Sequence, residues 1–278
     1  MKAYLAHIQF EFRNAVRDRS LLLMNYLFPL VVYLIIGSFG TVSGILAVRD
    51  NPELYAAYIG TGQVVNQVKA EQLGYQYCLD KAAESNNRKA IQELKDICFP
   101  VNGSYNSEKF PTTYESIGIE RKWLGTFGGV TKDPKVLMPM MMSCVVNKEH
   151  PFFQSLQFMG RFKKAMNVLW PQVMDIDFTT LAPELKVPVF FFEGRYDMDA
   201  AAVLAEEYFN LLQAPVKEFY WFENSGHMPT FEEPERFINI VKEHILPGCI
   251  SQSGTSIPSL KSCYTAFTSI CYLLIIRT

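Results

Sequence analysis

Two segments late in the chain constrain the fold more than anything else in it. Val187-Pro188-Val189-Phe190-Phe191-Phe192-Glu193 and residues 216–222 both read as strands, and each runs directly into a polar turn. The first run is apolar almost throughout, as a parallel strand covered on both faces must be. Residues 200–212 between them read as a helix. Residues 234–245 read as another, with Phe237, Ile238, Val241 and Ile245 at helical spacing. Strands alternating with helices predict an α/β fold, with a mostly parallel sheet and helices on both faces. With 278 residues, 49% of them apolar and 19% charged, the chain can bury the core such a sheet needs.

Further upstream the pattern is less regular. Residues 54–60 read as a short strand, 63–85 as a long helix and 87–97 as an amphipathic helix. Residues 98–129 are rich in Pro, Gly, Ser and Asn and read as loop. Residues 135–170 carry Met-rich and Phe-rich helical patterns, in which Met138, Met140, Met141 and Met142 read as adaptable core rather than as a metal site.

Charge and cysteine usage remove several classes of function. A net charge of 26 − 28 = −2 leaves no basic footprint for nucleic acid. No C-x-x-C or H-x-x-x-H spacing occurs, which argues against a zinc site, and no metal or organic cofactor is implied. Cys78, Cys98, Cys144, Cys249, Cys263 and Cys271 are scattered and read as reduced thiols of a cytoplasmic-type protein.

From 20 to 48 there is no charged residue. Two readings stand. Residues 21–48 are long enough to cross a bilayer, which takes about 20 apolar residues, and would associate the protein with a membrane. Alternatively 31–36 is a buried strand, Gly37-Ser38-Phe39-Gly40 a turn and 41–49 a helix.

The chemistry gathers at two strand ends. The strand at 187–193 runs into Gly194-Arg195-Tyr196-Asp197-Met198-Asp199, and the strand at 216–222 into Glu223-Asn224-Ser225-Gly226-His227-Met228-Pro229. In an open α/β sheet, ligands bind beyond the carboxyl ends of the strands. An Asp on one such loop and a His on the next can share one rim. The carboxylate fixes the imidazole tautomer and leaves the other ring nitrogen to take a proton from a nucleophile. Asp197 is the preferred acid because it sits nearer the strand end, and Asp199 is its competitor.

With these residues in place, 37–247 resembles the latter two-thirds of an α/β-hydrolase of the proline-iminopeptidase-like group. Three segments carry the resemblance. They are Asn51-Pro52-Glu53-Leu54-Tyr55-Ala56-Ala57-Tyr58-Ile59-Gly60-Thr61-Gly62-Gln63, Gly194-Arg195-Tyr196-Asp197 and Ser225-Gly226-His227-Met228-Pro229. The resemblance implies a helical cap, about 85–180, inserted before the strand that carries the Asp. It implies Ser38 as nucleophile, His227 as base, Asp197 as its orienting acid and the backbone N–H of Phe39 as an oxyanion donor. It also implies a peptide or ester substrate. Glu115, Glu120 and Asp175 are candidates for holding a free amino terminus, and Phe152, Phe153, Phe158 and Trp170 for an aromatic pocket wall. The sequence departs from the family in two places. The elbow G-x-S-x-G lacks one residue between Gly37 and Ser38. The early strands of the sheet and a His-Gly-Gly oxyanion loop do not precede it, and the one Gly-Gly pair, Gly128-Gly129, falls inside the cap. A non-catalytic, membrane-tethered remnant of a hydrolase is the alternative reading.

Residues 1–36 resemble instead the start of an ABC-2 type transporter permease. That match rests on Met1-Lys2-Ala3-Tyr4-Leu5-Ala6-His7-Ile8-Gln9-Phe10-Glu11-Phe12-Arg13, on Arg17-Asp18-Arg19 and on Asn25-Tyr26-Leu27-Phe28-Pro29-Leu30. Residues 248–278, rich in Ser, Thr and Cys, read as an unrelated tail.

Overall fold

The computed structural model describes residues 39–245, apart from 56, 111, 134 and 136–151. The permease-like segment 1–36, Ser38, Met138 to Met142, four of the cysteines (Cys144, Cys249, Cys263 and Cys271) and the tail 248–278 lie outside the described residues. So do the side chains of Phe39, Phe152, Phe153 and Phe158.

The sheet has three parallel strands in the order β1 (Tyr58–Thr61), β2 (Val189–Gly194), β3 (Lys217–Phe222). Gly60 pairs with Phe191, and Phe191 with Phe219. The central strand β2 is buried at every residue, which is why its sequence shows no polar alternation. Its side chains nevertheless divide by parity between two cores. Val189 and Phe191 face α1 (Phe39–Asp50) and α7 (Ala202–Leu211), where Val42, Ile45 and Val48 meet Leu204, Ala205 and Tyr208. Phe190 and Phe192 face Phe222 and α9 (Pro234–Ile240), with Phe237, Val241 and Ile245. Each fully buried Phe contributes roughly 1.5–3 kcal/mol of burial free energy. The helix expected at 234–245 is α-helical to Ile240 and then widens into a π turn, Val241–Ile245.

Lys217 is a charged residue in a strand, and its partners explain it. Its ammonium donates to the carbonyl oxygens of Phe209 (2.6 Å) and Leu212 (2.9 Å), the orphan acceptors at the end of α7.

α1 is the helix of the strand-turn-helix reading. Thr41, Val42, Ile45 and Val48 are buried in the core of the domain, and residues 21–38 of the 21–48 stretch lie outside the described residues. Among the described residues, no helix is long and apolar enough to cross a membrane.

Between β1 and β2 the chain makes α2 (Gln67–Glu84), α3 (Arg88–Ile97), α4 (Thr113–Thr126), α5 (Phe152–Met174) and the short α6 (Phe178–Leu181). The first four share a core of their own around Tyr75, Cys78, Leu94, Ile97, Trp123, Leu124 and Trp170. α3 contributes Ala90, Leu94 and Ile97, spaced to form one stripe. Cys78 and Cys98 are free thiols, and burial pushes that of Cys78 well up.

α4 corrects the expectation that 98–129 is loop. A capping box starts it. Thr112 Oγ1 accepts from the Glu115 N–H, and the Thr112 hydroxyl donates to Glu115 Oε2 at 2.8 Å. Composition over the whole segment hid this local start signal. Beyond β3, α8 (Pro229–Glu232) comes directly after the His-bearing loop.

Candidate active site

β2 and β3 run parallel, so their carboxyl ends open on one rim. The two loops that leave them are joined by backbone hydrogen bonds from Arg195 N to Phe222 O (2.9 Å) and from Tyr196 N to Ser225 O (3.0 Å). Only glycine permits this approach, since a Cβ on Gly194 would lie 1.8 Å from the Gly226 carbonyl oxygen. Outside, Arg195 grips Glu223 with Nε at 3.0 Å and a terminal nitrogen at 2.6 Å.

This closure places Asp197 against His227. Asp197 Oδ2 lies 2.8 Å from His227 Nδ1, with both residues buried. Asp197 Oδ1 accepts from the N–H groups of Asp199 (2.8 Å) and Ala200 (3.0 Å), which fix the carboxylate plane. His227 is held by its own N–H, which donates to Val130 O at 2.7 Å. Behind the ring sits Gly62, whose positive φ of +53° turns the chain so that the imidazole passes close by.

The competing acid is also present, on the other side of the ring. Asp199 Oδ2 lies 3.5 Å from His227 Nε2. A third carboxyl, Glu193, closes β2 from below. It accepts from the Gln63 N–H at 2.8 Å, and its second oxygen is buried without a hydrogen-bond partner. Burial, with Asp197 adding to it, pushes Glu193 well above the usual carboxylate range. Burial alone would disfavour the imidazolium, but Asp197, Asp199 and Glu193 outweigh it, and His227 is pushed up to about 9.

Ser38 lies outside the described residues, one position before α1 begins at Phe39. The first turn of α1 is tied to β1 and the segment that follows it. Thr41 Oγ1 accepts from Val64 N at 3.1 Å, and the Tyr58 hydroxyl lies 3.3 Å from Thr41 O and 2.6 Å from Gln63 Oε1. The start of α1 and the Gly62 turn thus belong to one hydrogen-bonded unit.

Of the three candidate acids for an amino terminus, Glu120 adjoins the rim. Glu115 is taken by Thr112 and by Lys163 at 3.4 Å, and Asp175 is exposed. Glu120 and Glu71 are fully buried and both bind the guanidinium of Arg121. Arg121 Nε reaches across to Asp199 Oδ1 at 2.6 Å, an ion pair without hydrogen-bond alignment. The Tyr105 hydroxyl donates to Glu71 at 2.7 Å. Burial pushes Glu120 up to about 8; Arg121 opposes the shift, while Glu71 and Asp199 add to it. Glu120 Oε1 has no hydrogen-bond partner. Trp170 belongs to the core of the inserted helices, its indole N–H 3.4 Å from Gly103 O.

Sequence reasoning missed Glu71, Arg121, Glu193 and the strip 129–132. The strip accepts from both loops, at Gly129 O from Met198 N (2.9 Å) and at Val130 O from His227 N. Its Lys132 N–H donates to Glu232 (2.7 Å), whose other oxygen accepts from Gly226 N (2.7 Å). One signal was legible: a glutamate ending a run of apolar strand residues, at Glu193.

A buried His-Asp pair at a sheet rim is equipped for proton transfer to and from a nucleophile. No family model matches the chain. It is similar to the probable aminopeptidase YbaC of Bacillus subtilis (strain 168), at 24% identity over 213 residues, 77% of this chain and 64% of that protein. It is similar also to the proline iminopeptidase of Heyndrickxia coagulans, at 30% identity over 87 residues, 28% of this chain and 29% of that protein. Among solved structures, it overlays an alpha/beta fold family hydrolase from Bacillus anthracis str. Sterne with a TM-score of 0.43 and 19% identity, covering 74% of this chain and 64% of that one. The proline iminopeptidase of Mycobacterium smegmatis overlays with a TM-score of 0.46 and 11% identity, covering 78% and 65%. The chain is thus a partial α/β fold that spans about 64% of the length of the probable aminopeptidase it matches.

Proposed function

We propose that this protein is a serine hydrolase that cleaves a peptide or ester bond next to a free amino terminus. Ser38 Oγ attacks the carbonyl carbon and passes its proton to His227 Nε2, while Asp197 holds Nδ1–H and stabilises the imidazolium. The tetrahedral intermediate collapses as His227 returns the proton to the leaving amine or alcohol, and water repeats the sequence on the acyl-enzyme. First-turn N–H groups of a helix have no partner within it, so the N–H of Phe39 is available to the oxyanion. The observation that carries this reading is the buried 2.8 Å contact between His227 and Asp197, at the carboxyl ends of the parallel strands β2 and β3. The amino-terminal preference is supported by the acid excess beside it. Glu71, Glu120 and Asp199 share one Arg121, and Glu120 Oε1 is left over to accept an ammonium group.

Labelling with a fluorophosphonate tests the mechanism, and aminoacyl arylamides compared with their N-acetyl counterparts test the specificity. Wild type is expected to be labelled, and Ser38→Ala and His227→Ala to lose the label. Hydrolysis is expected to fall at least about 10²-fold when the amine is acetylated. Folded wild type that takes no label, or label retained in Ser38→Ala, would overturn the mechanism. Equal turnover of both substrates would overturn the amino-terminal preference.

A further inference from the structure

We propose that Arg121, on the inserted helix α4, is a positioning residue for His227 and acts on it through Asp199. This deepens the hydrolase reading, in which His227 is the base. Asp197 and Asp199 face opposite nitrogens of the imidazole ring, at 2.8 and 3.5 Å. Asp197 orients the ring. A second carboxylate, on the Nε2 side, does the reverse of what a general base needs, because it holds the proton on the nitrogen that must accept one from the nucleophile. Asp199 is kept from doing so fully by Arg121, whose Nε lies 2.6 Å from its other oxygen. The guanidinium is a planar fork with a permanent charge, so it can bind Glu71, Glu120 and Asp199 together.

Two of those acids lie on α2 and α4 and Asp199 on the loop after β2, so the ion pair crosses from the helical insertion to the sheet. Among the described residues, the charged groups that face His227, and those that bind these groups in turn, come from several elements. Asp197 and Asp199 come from the loop after β2, Glu193 from β2 itself, and Glu71, Tyr105, Glu120 and Arg121 from the insertion. Glu232, from α8, binds the N–H of Gly226 next to His227. Among these groups Arg121 is the cation that touches a carboxylate on the Nε2 side. A cap that moves Arg121 would therefore change the basicity of His227 without touching it.

The test is the titration of the His227 imidazole by NMR in the full chain, labelled at histidine. The chain has four histidines, His7, His150, His227 and His244, so the signal is assigned by its loss in His227→Gln. Asp199→Asn is expected to lower the midpoint by about one pH unit, a tenfold change in the protonation equilibrium. Arg121→Gln is expected to raise it by a similar factor, Arg121→Lys to leave it near wild type, and Arg121→Gln to have little effect once Asp199→Asn is present. A folded Arg121→Gln with an unchanged midpoint, or the same shift with and without Asp199, would overturn the proposal. Should Arg121→Gln fail to fold, an unmoved midpoint in Asp199→Asn decides against it. The titration reads the imidazole whether or not the protein turns over, so it stands apart from the labelling experiment above.

Discussion

A Cβ placed on Gly62 would lie 2.6 Å from His227 Cε1 and 2.8 Å from the His227 carbonyl oxygen. The glycine is the floor of the imidazole site, and its φ of +53° is one that an L-residue adopts only with strain. Gly62→Ala is expected to destabilise the fold by about 1–3 kcal/mol and to push the ring out of line with Asp197. Thermal melts measure the first effect. Hydrolysis falling by more than the loss of folded protein explains would measure the second, and unchanged turnover would show that the ring tolerates the displacement.

His227 should set the acid limb of the pH profile. Its resting pKa of about 9 means that most of the protein carries an imidazolium at neutral pH, and the proposed base is the neutral ring. Activity is expected to rise with pH through about 9. A profile already flat at pH 7 would show that substrate binding relieves the carboxylate field.

Stability should move the opposite way. A histidine whose pKa rises from 6.5 to about 9 on folding binds more protons in the native state across that window. Its contribution is fully present below the unfolded pKa and is lost as pH rises through about 9. For this buried group the loss is on the order of 3 kcal/mol. Glu120, raised to about 8 chiefly by burial, adds a loss of the same sign, since its ionisation above the unfolded value is costly inside the fold. Denaturant midpoints should therefore fall between pH 6 and pH 9.5, and less so in Asp197→Asn.

Glu232 ties the turn before His227 to the strip 129–132, through the N–H groups of Gly226 and Lys132. Glu232→Ala removes both acceptors and leaves two backbone donors to find water. A loss of about 1–3 kcal/mol is expected. Hydrolysis should fall with kcat affected more than KM, because the base loses its alignment rather than the substrate its contacts.

Thr112→Ala probes the capping box of α4. The loss expected is about 1 kcal/mol, with the helix intact in the circular dichroism spectrum. A larger loss would mean that the Glu115–Lys163 pair depends on the same turn.

The sheet was readable from residues 187–245 because burial on both faces leaves a run that nothing polar interrupts, as Phe190, Phe191 and Phe192 show. Asp197 and His227 were readable for a related reason. Each sits a few residues past a strand, Asp197 after the uninterrupted apolar run of β2 and His227 after β3, which carries Lys217 and Glu218, and parallel strands deliver their trailing loops to the same end of the sheet. α4 was not readable from composition, since its start rests on two residues, Thr112 and Glu115, inside a stretch of breakers. Arg121 and Glu71 were hidden more deeply. Each is an ordinary charged residue on a helix in sequence, and only the packing of α2 against α4 puts them in one buried cluster with Asp199. No spacing rule encodes a meeting of residues 50 apart on Glu71 and Arg121.

The strip 129–132 has a consequence for anyone who would exchange the inserted helices. Its carbonyl oxygens at Gly129 and Val130 are where the Asp-bearing and His-bearing loops each come to rest. The strip is thus a template against which Asp197 and His227 are spaced. Swapping in the helices of a relative would respace Asp197 and His227, unless these four residues stay with the scaffold that receives them.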